Sequence, residues 1–246
     1  HQFAGRRPGG FVMTYSTLAA IVKYPFASSL AGKHGKFGFF CSEASTFEQI
    51  ADELGLIRLS APGEPLRYVR HPLVYLMEAA DDICYEIMDI EDSHKLKILS
   101  FDETKNLLLS FFDNDTQEEI IRRLKEEGVT DENEQVVYLR ACVVGKLENE
   151  CVQTFVDHED EILNGTFKGT LIGNISEPQR LAYKHCSEVS FKRIYRSKPV
   201  LDIELSGYKI METLMQSLIS AVVQPERFHS KQIIERVSSQ YDIRSN

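Results

Sequence analysis

Apolar residues recur at three- and four-residue intervals along almost the whole chain, and no stretch alternates apolar with polar residues as a series of half-buried strands would. The spacing predicts an all-α protein with at most a small hairpin near residues 165–175, where Asn164-Gly165 and Gly173-Asn174 mark turns. A Gly/Arg-rich opening from Gly5 to Gly10 leads into an apolar helix over about Met13 to Tyr24, which Pro25 ends because the residue before a proline is driven out of the helical region. A loop rich in Gly and Lys (Gly32 to Gly38) and a helix from about Ser42 to Leu54 follow, with Pro62 and Pro65 in a connector. Pro72 suits the first position of a long helix running to about Ser93. Capping boxes at Ser100/Glu103 and Asp115/Glu118 start two more helices, and others are expected at about Glu132–Asn164, Pro178–Tyr195, Pro199–Val223 and Pro225–Ser239.

The long helix carries the most information. Between Glu78 and Asp92 stand seven carboxylates (Glu78, Asp81, Asp82, Glu86, Asp89, Glu91, Asp92), with no Lys or Arg before Lys95. At about 100° per residue, Asp81, Tyr85, Asp89 and Asp92 share one side, flanked by Glu78 and Asp82. Leu73, Leu76, Ala80, Ile83, Ile87 and Ile90 fill the other, which is expected to pack. A solvated helix face usually interleaves Lys or Arg at i+4, whereas Glu78/Asp82 and Asp82/Glu86 are like-charge i,i+4 pairs that destabilise by a few tenths of a kcal/mol each, roughly. Something cationic should therefore sit nearby, either a hard divalent ion or basic side chains from another segment. On spacing alone, that reading and a plain solvated acidic face stand about level.

Composition narrows the classes. The 246 residues are 43% apolar and 26% charged, enough for a sizeable core, and the formal charge of −9 argues against bulk coating of nucleic acid, which stays open as an effector without being indicated by the net charge. Five scattered cysteines without a C-x-x-C pair indicate neither a disulfide framework nor a thiolate zinc site, and a cytoplasmic location is expected. No apolar run reaches the ~18 residues of a membrane helix, and no signal-peptide pattern opens the chain.

The run HPLVYLMEAADDICYEIMDIED over residues 71–92 closely resembles the corresponding segment of bacterial deoxyguanosine triphosphate triphosphohydrolases, members of the HD phosphohydrolase superfamily. TYSTLAAIVKYP (14–25), KFGFFCSE (36–43) and IYRSKPV (194–200) extend the resemblance, in family order, to nearly the whole chain. It implies a multi-helix array of that superfamily's type, with residues 1–95 as the remainder of the catalytic helical core and 96–246 as a C-terminal helical region. It also implies one divalent metal, Mg²⁺ or Mn²⁺, held by two His and an Asp from earlier helices together with a later Asp that Asp81 matches. Tyr85 and Asp89 match residues at the deoxyribose end of the nucleotide site, Lys23 and Lys36 match lysines that approach the triphosphate, and Tyr195 matches a tyrosine near the base or sugar. Arg6 and Arg7 are further candidates for phosphate contacts. The implied substrate is dGTP or another dNTP, and the implied assembly a homo-oligomer.

One defining element is absent: none of the seven histidines (His1, His34, His71, His94, His158, His185, His229) is followed by Asp. The chain is accordingly expected to lack most of its metal ligands and to be inactive alone, and its opening on His1 rather than Met suggests a fragment. His71 and His94, which flank the acidic helix, read as cap or surface residues, and Asp157 to Asp160 as a solvated face. The alternatives are a non-catalytic helical module used for assembly or allosteric nucleotide binding, and an HD-type nucleotidase or phosphodiesterase of other specificity. The Asp81-x-x-x-Tyr85-x-x-x-Asp89 spacing argues against the latter.

Overall fold

The structure, a computed structural model, describes residues 13–238. Arg6 and Arg7 lie outside the described residues. Ten α-helices and no β-strand occur among the described residues: α1 (Tyr15–Ala20), α2 (Ala44–Glu53), α3 (Pro72–Lys95), α4 (Phe101–Leu109), α5 (Asn114–Glu126), α6 (Glu132–Asp157), α7 (Glu159–Leu163), α8 (Glu177–Val189), α9 (Lys198–Val223) and α10 (Phe228–Arg236). Contacts divide the chain into two compact units, one spanning Thr14–Ile194 and the other containing the described residues from Tyr195 onward. In the second unit α9 packs against α10. No helix among the described residues is long and apolar enough to cross a membrane.

Local signals account for most helix boundaries. His71 caps α3, its Nδ1 accepting from the Leu73 amide at 3.2 Å, with Pro72 at the first position. Ser100 and Glu103 form the expected reciprocal box at the start of α4. The cap of α5 is Asp113, whose carboxylate accepts from the Thr116 amide at 2.8 Å, two residues ahead of the expected Asp115. α1 is shorter than expected, ending at Ala20, so that Val22 to Tyr24 run out of helical conformation towards Pro25. The expected helix over Glu132–Asn164 breaks at His158 into α6 and α7. In place of a hairpin, residues 164–176 form turns: Gly165 (φ 68°) and Gly169 (φ 88°) adopt left-handed conformations, and the Asn174 amide donates to the carbonyls of Lys168 and Thr170, satisfying locally groups a ladder would pair. α8 continues into a π-helical turn, Ser190–Ile194.

In the larger unit α3 is the centre, packing on α1, α4, α6 and α8. Val136, Leu139, Val143 and Leu147 of α6, three or four residues apart, are buried in the same unit as Ile83, Ile87 and Ile90 of α3. The packed face of α3 differs from the expected one. Leu73, Leu76 and Ala80 are exposed, while Glu78, Glu86 and Glu91 are buried. The inward turn of these three carboxylates is stabilised by partners from distant segments: Lys23 and Arg70 on Glu78, the hydroxyls of Ser187 and Ser190 on Glu86, and Arg140 with the local Lys95 on Glu91.

A second apolar cluster, Ala27, Phe39, Phe47, Ala51, Leu66 and Tyr68, supports the segments before α3. Isolated bridges Phe26–Arg67, Ala27–Phe39 and Arg58–Tyr68 join these segments without making a sheet. Ile87 is fully buried, so Ile87→Ala is expected to destabilise the protein by about 2–5 kcal/mol through lost burial and a residual cavity. Met88→Ala, on the exposed side, is expected to stay within roughly 0.5 kcal/mol. Chemical denaturation of the two variants checks the contrast, and an equal loss in both would contradict the orientation assigned to α3.

Candidate active site

With Glu78, Glu86 and Glu91 turned inward, the outer side of α3 shows Asp81, Cys84, Tyr85, Met88 and Asp92, with Asp82 and Asp89 half-buried at its margins. Asp81, Tyr85 and Asp89 follow one another at four-residue steps, so their backbones span about 12 Å along the helix. Asp81 is exposed, and no Lys or Arg pairs with it among the described residues. Tyr85 is 63% exposed, so its ring is not packed into the core of this chain. Burial pushes the Asp82 carboxyl above its ordinary range, with nearby Lys23 acting in the opposite direction.

Two of the lysines singled out in the sequence meet the same ring. Lys23 Nζ lies 6.0 Å and Lys36 Nζ 5.7 Å from the centre of Tyr24. Lys36 reaches it because the loop that carries it is laid against the Lys23 segment by backbone bonds, Gly38 donating to Phe26 O at 3.0 Å and Ser28 to Phe39 O at 2.9 Å. Gly38 is required by close approach. A Cβ there would stand 2.2 Å from the Tyr24 carbonyl oxygen and 2.5 Å from Val22 Cγ1.

Lys23 is further tied to α3. Its Nζ is 3.0 Å from Glu78 Oε1, while Arg70 NH1 is 2.9 Å from the other oxygen, Oε2. Arg70 also donates from Nε to the Lys23 carbonyl at 3.1 Å and lies 5.6 Å from the Tyr75 ring centre. The hydrogen bond to Glu78 is the main reason the Lys23 ammonium is held above its usual pKa of 10.5. Sequence reasoning gives neither Arg70 nor Tyr24 a part in the site and names Glu78 only as one half of a like-charge pair. The signal for Glu78 was the like-charge pair with Asp82, which demanded a cation; basic side chains from other segments, not an ion, meet that demand at Glu78.

Tyr195 begins the second compact unit, directly after the π-helical turn, and is described with that unit. His71 is the α3 cap already described, and His94 is half-buried with its ring 6.1 Å from that of Phe101. His158 pairs with Glu161 at the break between α6 and α7. Among the described residues no three His, Cys, Asp or Glu side chains gather to hold a metal ion. Asp81 therefore stands in no group of three such side chains that could complete a divalent-metal site among the described residues.

Comparison with known proteins bears on this arrangement. No protein-family model matches the chain. It is 32% identical over 235 residues to a deoxyguanosinetriphosphate triphosphohydrolase-like protein of Pseudomonas aeruginosa, covering 94% of this chain and 50% of the relative. The chain is a homologue of bacterial deoxyguanosinetriphosphate triphosphohydrolase-like proteins. A second such protein, from Synechocystis sp., is 32% identical over 229 residues, covering 89% of this chain and 49% of its own length. The deoxyguanosinetriphosphate triphosphohydrolase of Serratia proteamaculans is 28% identical over 222 residues, covering 82% and 42%. The chain spans about half the length of the curated triphosphohydrolase relatives it matches.

The Gly38 contact gives a direct test of how the lysines are brought together. Gly38→Ala is expected to lower stability by about 1–3 kcal/mol, because backbone atoms must move to admit the methyl group. Gly32→Ala, whose added carbon meets nothing within 4 Å, is expected to have an effect within roughly 0.5 kcal/mol. Thermal or denaturant unfolding of both variants decides it; equal stabilities would show that the Lys36 loop is not held where described.

Proposed function

We propose that this chain supplies the nucleotide-facing part of a metal-dependent enzyme that hydrolyses dGTP, or dNTPs more broadly, to deoxynucleoside and tripolyphosphate, working as a homo-oligomer. The observation that carries the reading is the exposed stripe of Asp81 and Tyr85 on α3, with Lys23 held on the same helix through Glu78. Relatives named for deoxyguanosinetriphosphate hydrolysis support the substrate class.

Each residue then has a physical task. Lys23 and Lys36 act as point charges on triphosphate oxygens, countering charge that builds up as a phosphoryl group is attacked. The Tyr85 ring lies against the sugar where a 2′-hydroxyl would otherwise fit, and Asp89 accepts from the 3′-hydroxyl. Tyr195 belongs at the base or sugar end. Asp81 is one ligand for Mg²⁺ or Mn²⁺, whose chemistry when bound is to polarise phosphate oxygen and activate water. The other ligands come from outside these residues, so the chain by itself lacks the means to hold the ion.

A second reading, a helical module for assembly, draws on α9, where Ile203, Leu205, Tyr208, Ile210 and Val223 are exposed. The 246-residue chain with dGTP and Mg²⁺ or Mn²⁺ is expected to release no tripolyphosphate, whereas the protein with all its ligands is expected to release it; an intact protein inert towards every dNTP would favour the module. In the active protein, Tyr85→Ala should reduce the preference of kcat/KM for dGTP over GTP, a discrimination on the order of a hundredfold when an apolar wall rejects an added hydroxyl. A ratio unchanged from wild type would remove Tyr85 from sugar selection.

A further inference from the structure

The ion group behind Lys23 is more elaborate than the anchoring of a surface lysine requires. Glu78 is 3% exposed, and its two carboxylate oxygens are divided between two cations from different segments, Lys23 on Oε1 and Arg70 on Oε2. Arg70 also fixes the backbone of Lys23 through its carbonyl. Side chain and main chain of one lysine are thus held by a single three-residue unit, linked to α3 through Glu78. Neither cation is used up. A lysine ammonium has three donors and an arginine guanidinium five, so after these bonds both keep N–H groups to offer, and both retain partial exposure, 32% for Lys23 and 24% for Arg70.

We infer that Glu78 is a positioning residue for polyphosphate binding, holding Lys23 and Arg70 as a preformed unit of net charge +1 that meets the phosphate tail of the substrate. The inference rests on the reading of Lys23 as a phosphate contact and extends it to two further residues, Glu78 and Arg70. Its physical basis is preorganisation. A free lysine carries about 2 kcal/mol of rotamer entropy, part of which is lost on gripping a phosphate, and a lysine already fixed by a buried carboxylate has lost it on folding. The carboxylate also keeps two like charges close together. Replaced by a neutral amide, it would leave Lys23 and Arg70 to repel each other, and the lysine would swing towards solvent. Arg70 answers the opposite danger, that Glu78 would cancel the lysine charge and weaken its hold on an anion.

The test measures equilibrium binding of inorganic tripolyphosphate to the intact protein by calorimetry, a readout that needs no turnover. Lys23→Ala and Glu78→Gln are each expected to weaken binding about tenfold, the size of one charge-assisted hydrogen bond. The double variant should bind more weakly than Lys23→Ala by less than the loss Glu78→Gln causes alone, because Glu78 acts in part through the lysine and in part through Arg70. Unchanged or tighter binding in Glu78→Gln, losses that multiply in the double variant, or a wild-type protein that does not bind tripolyphosphate would overturn the inference. Should Glu78→Gln not fold, Arg70→Lys serves in the same cycle: it keeps the charge beside Glu78 but removes the Nε donor to the Lys23 carbonyl, and its loss must likewise shrink in the Lys23→Ala background. Hydrolysis of dGTP, measured separately on wild type, keeps the two readings apart. An active enzyme whose tripolyphosphate affinity ignores Glu78 refutes only the positioning role, and an inactive protein whose affinity depends on it refutes only the triphosphohydrolase reading.

Discussion

A carboxylate carried out of water must find compensation where it arrives, and three glutamates of one helix impose that requirement on most of the larger unit. Glu78, Glu86 and Glu91 lie on the packed side of α3, and each is met differently: two cations at the first, two serine hydroxyls at the second, and one local and one distant cation at the third. Desolvating an ion is unfavourable by several kcal/mol even after relaxation, so these partners are conditions for α3 to pack as it does. They also specify what packs. The Glu78 partners bring in the Lys23 segment and the approach to Pro72, those of Glu86 bring in α8 and its π-helical turn, and Arg140 brings in α6.

The division of the acidic residues follows from the same constraint. Carboxylates that have distant partners turn inward, and what remains outside is Asp81, Tyr85 and Asp92, with Asp82 and Asp89 at the edges. A single helix thus both holds the unit together and displays a line of oxygen atoms. On the outside Lys95 lies beside Asp92 and Lys23 acts on Asp82, while the buried glutamates draw partners from distant segments, and the proposed chemistry uses the exposed line with the support of the buried one.

Much of this was legible locally, and what was not depended on contacts between distant residues. Pro72, the Ser100/Glu103 box and the four-residue steps from Asp81 to Asp89 act within one or two helical turns, and the helices stand close to where those residues put them. The rotation of α3 could not be read in the same way. Counting apolar positions placed Leu73, Leu76 and Ala80 inside, because a glutamate looks polar unless its partners, some of them a hundred positions away, are known. The repulsion between Glu78 and Asp82 did register that a cation was needed, without saying which. Likewise Gly38 in the sequence is one more loop glycine; only its approach to the Tyr24 carbonyl shows why a side chain is not tolerated there. For Lys23 and Lys36 the sequence supplied the residues and the fold supplied their shared neighbour, Tyr24.

The pairing of Glu86 with Ser190 joins positions 104 residues apart. Helix α3 can form its own backbone bonds early, since they are local, whereas closing so long a loop waits on the chain entropy that must be overcome first. During synthesis the segment bearing Glu86 leaves the ribosome well before the serines that will cover it. Until they arrive the carboxylate stays hydrated, and the side of α3 that receives α8 stays open to water. The dehydration of Glu86 therefore waits for α8 and its π-helical turn, the last elements of the larger unit along the chain, which cover its central helix.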